Sequence, residues 1–453
     1  MTELVTKYQE YAEYKDSGVE WLGEIPNHWE ITALKRYCNV KGGYAFASDA
    51  FTDVGKPIIR IGDIKEDGSI SLESCKFIST ELAKSSHAYL VEKGQLLMAM
   101  TGATIGKAGV YISDSPAYLN QRVGKFVIDN DELNYGFLWY TLKTNGYQEY
   151  IKLTAFGGAQ PNISDTGMVD YISCFPSLIE QTQIANFLDH ETTQIDTLIE
   201  KQQTLIKLLK EKRQAVISHA VTKGLNFDAP MKDSGVEWLG EVPEYWEVKK
   251  NKHLLEFVTS GSRGWAGYYS DEGKLFFRIT NLTRDTIEPK LESIQNVLPP
   301  LGAEGERSKI QLDDLLISIT ADLGSVCVAN NSISGGFVSQ HVSLCRPNSS
   351  VKSARWLAYF ILSDSAKEQF VGSGYGGTKI QLSLEDIREL NIAYPPKKEQ
   401  EDIASYIEVK LKKFELLMSQ AEQAIQLMQE RRTALISAAV TGKIDVRGWV
   451  VPE

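Results

Sequence analysis

A chain of 453 residues exceeds what one hydrophobic core ordinarily supports, so two or more domains are expected. Its hydrophobic fraction of 43% and charged fraction of 24% are those of a soluble globular protein, and no apolar run reaches the ~18 residues of a bilayer-spanning helix. The formal net charge of −11 repels nucleic acid at long range, so any phosphate contact must come from cations gathered on limited faces.

The N-terminal MTELVTKYQEYAEYKDSG is polar and acidic, which points to a cytoplasmic protein. From Lys15 the chain reads KDSGVEWLGEIPNHWEI, and from Lys232 it reads KDSGVEWLGEVPEYWEV. A match of this length is duplication. Trp21 and Trp29 therefore have counterparts in Trp238 and Trp246, all expected as core or partner-facing anchors, with Trp21 and Trp238 the candidates for docking a partner. Similarity then fades through roughly 35–155 and 252–374. It survives where IIRIGDI from Ile58 answers FFRITNL from Phe276, and LLMAMTGATIG from Leu96 answers LLISITADLG from Leu315. From Gln121 and Gln340 onward the halves run in step at a constant offset of 219. Shared framework with divergent interiors suggests one scaffold presenting two recognition surfaces.

The first interior mixes basic, aromatic and amide residues in glycine-rich loops: Lys41, Tyr44, Arg60, Lys107, Asn120, Arg122, Gln160 and Asn162. The second offers Arg263, Tyr268, Tyr269, Arg278, Lys379 and Gln381. Arg and Lys pair with guanine, Asn and Gln with adenine, and glycine lets the backbone approach phosphate, so these are the candidate DNA-binding residues. Arg60 and Arg278 follow apolar strand-like runs at equivalent places, and a structural role there is as well supported as a contact role.

Each half closes with a long helix. Ile184, Leu188, Ile195, Leu198, Leu205, Leu209 and Val216 follow a three-four spacing, repeated by Ile403, Ile407, Phe414, Leu417, Ala424, Met428 and Leu435. No proline or glycine lies between Ser177 and Lys223 or between Lys397 and Thr441, so a coiled-coil seam is predicted. About 45 residues at ~1.5 Å each give roughly 65 Å, the length of about 20 base pairs. The first helix is acidic over Glu180–Glu200 and basic over Lys201–Arg213, while the second begins acidic over Glu399–Glu408, which favours an antiparallel pair.

Enzymatic motifs are missing from the sequence. GATIGKA at 102–108 is one residue short of phosphate-loop spacing and lacks the following Ser or Thr. The six histidines form no HExxH, and no GxSxG occurs, so neither a metal site nor a catalytic residue is proposed. The five cysteines, Cys38, Cys75, Cys174, Cys327 and Cys345, never form CxxC and are expected as reduced, buried thiols.

Over nearly its whole length the chain resembles the specificity subunit of type I restriction-modification systems. The features that carry the resemblance are KDSGVEWLGEIP and its copy, FPSLIEQTQIANFL and YPPKKEQEDIASYI at the helix starts, and RQAVISHAVTKG and RRTALISAAVTGK at their ends. The resemblance implies a non-catalytic subunit whose two domains each read half of a bipartite, asymmetric site in double-stranded DNA, with the helices setting the spacer. It implies two methyltransferase subunits as partners, and restriction (motor-nuclease) subunits as further ones. S-adenosylmethionine, ATP and magnesium would then reside on those partners, with no cofactor on this chain. The expected fold is α+β: two repeated target-recognition domains, 1–175 and 231–393, joined by two long antiparallel coiled-coil helices, pseudo-twofold symmetric. The first helix and linker take 176–230, and the second helix and tail 394–453. The competing reading is a non-catalytic scaffold whose two domains bind proteins without reading DNA sequence.

Overall fold

The computed structural model describes residues 8–158, 160–261, 263–299, 302–320, 322–372 and 381–451. The chain forms two compact units, residues 1–202 with 423–453, and residues 203–422. Each is a mixed α+β body.

In the first unit the framework motif forms a hairpin, Tyr14–Asp16 against Glu24–Pro26. Strand Glu30–Ala33 then pairs with Ile172–Phe175, so the domain's two ends close on each other. Between them lies an antiparallel sheet in the order Ala108–Val110, Leu96–Ala99, Val123–Ile128, Cys38–Gly42. Alternation along its inner strand explains why Leu96–Ala99 is apolar throughout. Leu96 and Met98 enter the main core with Val40 and Phe126, while Leu97 and Ala99 enter a second cluster with Ile59 and Val123. That second cluster is backed by a five-stranded sheet of short strands in which Lys56–Ile59 runs parallel to Ala117–Leu119.

The second unit repeats this topology in its own residues. Its sheet runs Leu255–Ser260, Val342–Pro347, Leu315–Ser318, Val326–Val328, and Lys274–Phe277 lies parallel to Phe337–Val338. Leu315 and Ile317 face one cluster and Leu316 the other. The interiors have diverged in sequence while keeping strand order, because the period-two burial pattern survives substitution of one apolar residue for another.

Two long helices, α1 (Leu178–Lys223) and α2 (Lys397–Val440), pass through the framework. In the first unit Ile184, Leu188 and Ile195 near the start of α1 share a core with Leu435, Ile436 and Ala439 near the end of α2, and Arg432 pairs with Asp196 at 2.8 Å. In the second, Ile217, Ala220 and Val221 of α1 pack with Ile403, Ile407 and Leu411 of α2. Within each unit the helices are therefore antiparallel. The expected seam is buried at its ends, but Leu198, Leu205 and Leu417 in the central turns are 48%, 43% and 37% exposed. None of these three belongs to either unit's main core cluster among the described residues. The charge match expected between helices is spent elsewhere in the second unit: Glu399 accepts hydrogen bonds from Trp246 and Tyr245, and Glu408 pairs with Arg355.

Both helices carry Glu-Gln in their first turn, and the structure shows why. Trp29 and Trp246, both 0% exposed, donate their indole N–H to Glu180 and Glu399 at 3.1 Å. Buried Gln181 bonds the Asn134 amide and the carbonyls of Glu132 and Pro176, while Gln400 bonds the Lys352 amide and the Pro395 carbonyl. Gly224 and Gly442 follow the helix ends at φ +76° and +72°, a left-handed cap that glycine accepts without strain.

All five cysteines are buried and unpaired, and burial pushes the thiols of Cys38, Cys174 and Cys345 up to about 12. Among the described residues no helix is long and apolar enough to cross a membrane.

Lys143 is a local liability of the first unit. Its ammonium lies 3.8 Å from the centre of the Trp139 ring, and burial, then the Arg432 charge, lower its pKa to about 8. Between about 8 and the unfolded value near 10.5 the unfolded chain binds more protons, so stability rises with pH across that window and falls as pH drops through it. Lys143→Met is expected to stabilise the unit by about 1–2 kcal/mol at pH 7, with a smaller gain at pH 9.5. Urea denaturation at the two pH values checks this; an equal gain at both refutes it.

Candidate nucleic-acid interface

The sequence candidates separate into three groups once placed. Arg60 and Arg278 are absorbed by the fold. Each caps a short 3-10 turn through its own amide, which donates to Asp63 at 2.8 Å or Asn281 at 2.9 Å. Their guanidinium groups reach the Ser74 carbonyl at 2.9 Å and the Ser293 hydroxyl at 3.2 Å. Lys107 pairs with Glu66 at 2.9 Å. All three side chains are thus held by neighbours within the first or second unit, Lys107 and Arg60 by a carboxylate and Arg278 by a hydroxyl.

Lys41, Tyr44, Asn120, Arg122, Gln160 and Asn162 belong to neighbouring segments at one end of the first unit's sheet. Backbone bonds tie the loops together: Tyr44 N to Leu119 O at 2.9 Å, Gln121 N to Tyr44 O at 2.9 Å, and Met100 N to Arg122 O at 2.9 Å. Ile163 N donates to Met100 O at 3.1 Å and Gly102 N to Pro161 O at 2.8 Å, which brings residues 160–163 alongside. Gly43 makes the closure feasible, since a Cβ there would lie 2.2 Å from Asn120 O. The side chains of Lys41, Arg122, Asn120, Gln160 and Asn162 make no hydrogen bond or ion pair among the described residues. Tyr44 is 43% exposed and packs beside Tyr89.

Lys41 lies in register with Lys125 on the neighbouring strand. Like charges directly opposite repel. Burial, then the Lys41 charge, holds Lys125 below its ordinary value, and Lys125 donates to the Leu90 carbonyl at 2.6 Å. An anion seated against this pair would relieve the repulsion.

The second unit assembles the same platform. Ile319 N donates to His341 O at 3.1 Å, Leu382 N to Ile319 O at 2.8 Å, and Thr320 bridges to Gln381. At Gly261 a Cβ would lie 1.9 Å from Val338 O. Arg263 and Gln381 are exposed near this platform, whereas Lys379 lies outside the described residues. Tyr268 and Tyr269 sit farther along, where the Tyr268 carbonyl accepts the Leu298 amide and Tyr269 packs on Phe276 at 5.5 Å. Gln340 and His341, hydrogen-bonded to each other at 3.0 Å, were missed in the sequence. The constant offset places them opposite Gln121 and Arg122, and that signal was available.

Such a surface offers unpaired cations, amides and an aromatic on a rigid platform, the donor and acceptor set that reads base edges and phosphate. Trp21 and Trp238 belong to the framework hairpins instead, at 53% and 38% exposure. Among the described residues, no group of His, Cys, Asp and Glu could hold a metal ion.

Comparison with known proteins agrees with this architecture. The model of the type I restriction modification DNA specificity domain matches residues 26–208 and again 243–427. The Type I restriction enzyme EcoBI specificity subunit of Escherichia coli is 22% identical over 95% of this chain and 90% of its own length. A local match at 28% identity joins 42% of this chain to 44% of the Type I restriction enzyme MjaVIII specificity subunit of Methanocaldococcus jannaschii. A solved structure described as "Structural basis underlying complex assembly and conformational transition of the type I R-M system" shares the fold, with a TM-score of 0.71 and 14% identity over 92% of this chain and 98% of that one.

Proposed function

The chain belongs to the type I restriction modification DNA specificity family, and we propose that it is the sequence-reading subunit of such a complex, each unit reading one half of a bipartite, asymmetric DNA site. The observation that carries this is the repeated platform with different side chains: Arg122 with Asn162 in one unit, His341 with Gln381 in the other. Two matched frames with unlike donors and acceptors suit two unlike half-sites.

Catalysis is delegated in this reading. The chain binds no cofactor; two methyltransferase subunits bring S-adenosylmethionine, and restriction subunits bring ATP and magnesium, all in the cytoplasm. The long helices set the spacer between half-sites. The acidic total is no obstacle, because the cations that matter are local and unpaired while partner subunits add positive field.

Sequencing methylated bases in cells that carry the chain with its methyltransferase, against cells lacking the chain, tests the reading. A methyladenine motif in two short parts around a fixed spacer is the expected result. Binding of protein partners without any DNA-sequence dependence would favour the scaffold instead.

The platform makes separable predictions for the assembled complex. Lys41→Gln should weaken binding uniformly across sequences and reduce the slope of log affinity against log salt by about 1. Arg122→Ala should cost about 1–3 kcal/mol and relax selectivity at one base of one half-site. Binding titrations at several salt concentrations and a randomised-site selection measure the two effects. Loss of selectivity in both half-sites from Arg122→Ala would be inconsistent with this assignment.

A further inference from the structure

Corresponding strands in the two units, Ala117–Leu119 and Phe337–Val338, lead into the same four-residue turn. Val123 N donates to Asn120 O at 2.9 Å, and Val342 N donates to Ser339 O at 3.0 Å. Neighbouring backbone pins both turns in the same way. Asn120 N donates to Ile59 O at 3.1 Å, and Ser339 N to Phe277 O at 2.9 Å. Met100 N donates to Arg122 O at 2.9 Å, and Ile319 N to His341 O at 3.1 Å. The closing residues Val123 and Val342 are both 0% exposed. Main-chain bonds and a buried valine therefore hold each turn, whatever its two central side chains are.

Those central pairs are Gln121 with Arg122 and Gln340 with His341. Gln121, Arg122 and His341 are exposed, and Gln340 is half-buried. Glutamine is common to both turns; the residue after it is not. The backbone presents Arg122 and His341 alike, but their chemistry differs. A guanidinium is a planar fork that pairs with guanine O6 and N7 together, whereas a ring nitrogen of imidazole meets one such atom. The Arg122 side chain makes no hydrogen bond or ion pair among the described residues, so its fork is free to pair. His341 instead has Nε2 at 3.0 Å from the Gln340 amide nitrogen, a contact that orients the ring.

We infer that Arg122 and His341 are two versions of one specificity position. Arg122 selects guanine in its half-site, and His341, oriented by Gln340, replaces that requirement with a single-atom contact at the matching place of the other. Gln340 is then a positioning residue. The inference rests on the DNA-recognition function proposed above, and it names the residue pair that makes the half-sites unlike. Because the turn beneath is the same in both units, one side chain should carry the guanine requirement from one half-site to the other.

Sequencing methylated bases in cells that carry the whole complex tests this, with randomised-site selection on the purified complex as the quantitative measure. His341→Arg should gain guanine at one position of one half-site, preferred at least ~5-fold over other bases, and leave the other half-site unchanged. Arg122→His should lose guanine at one position of the opposite half-site by a similar factor. Gln340→Ala should broaden the base preference at the His341 position alone, whereas Gln121→Ala leaves the guanine selected by Arg122 in place. A gained preference cannot come from misfolding, and circular dichroism and melting of all four variants should match the wild type. A His341→Arg complex that keeps the original motif overturns the inference. So does one that binds every sequence more tightly alike, a result that would make the turn a phosphate contact. A wild-type complex that yields no bipartite motif overturns the functional reading itself, so the two failures are distinguishable.

Discussion

Trp29→Ala should destabilise the first unit by about 3–5 kcal/mol, and Trp246→Ala the second by a similar amount, the range for emptying a large buried aromatic site. Both indoles are 0% exposed. Trp29 packs 5.8 Å from Tyr11 and against the cap glycine Gly442, while its N–H meets Glu180 at the start of α1. Trp246 is held between Gly224 and Glu399 in the same way. Each ring therefore joins the hairpin, the first turn of one long helix and the cap of the other. Its loss leaves a cavity at that junction, although Glu180 keeps bonds from Tyr11 and His28. Trp21→Ala, by contrast, removes an exposed ring and should cost under about 1 kcal/mol. Urea unfolding of the three variants decides the matter: a loss for Trp29→Ala no larger than that for Trp21→Ala would show that the junction does not hold the unit together.

Inserting seven residues into the central turns of both α1 and α2 should lengthen the recognised spacer while leaving both half-sites unchanged. Seven residues add about 10 Å, or roughly 3 base pairs, and rotate the helix face by only about 20°. The seam register survives so small a rotation. A five-residue insertion turns the face by about 140° and should abolish DNA binding, because apolar seam positions would point to water. The central turns are the place to insert, since Leu198, Leu205 and Leu417 are already partly exposed there. The methylation motif of cells carrying each variant reports the spacer directly. A seven-residue insert that methylates the original site sinks the ruler.

Duplication, the two helices and their antiparallel sense were legible in the chain because each rests on local regularity: repeated motifs, a three-four spacing, and runs free of proline and glycine. The same regularity misled at the centre of the seam. Spacing marks which face is apolar, but how deeply it is covered depends on what the domains place beside it. Charge patterning indicated the helix pairing correctly, yet Glu399 and Glu408 bond the second domain's own side chains. The nearest cation in space is set by the fold, not by the pattern along one helix.

The candidate interface divides on the same principle. Residue type nominated Arg60, Lys107, Arg122 and Arg278 equally, since a guanidinium or ammonium carries no label for its partner. The fold pairs Lys107 with Glu66 and Arg60 with Asp63, ties the Arg278 guanidinium to the Ser293 hydroxyl, and leaves Arg122 without a side-chain partner among the described residues. His341 stands opposite Arg122 by the constant offset, and the Ile319 amide ties it to the place that Arg122 holds in the other unit. Within one motif, Trp29 and Trp21 look alike as letters. Periodicity and repetition established the repeated scaffold and its two helices without coordinates. Which tryptophan is core and which is surface, and which cations remain free, were decided by tertiary packing, because burial and pairing are properties of distant residues brought together.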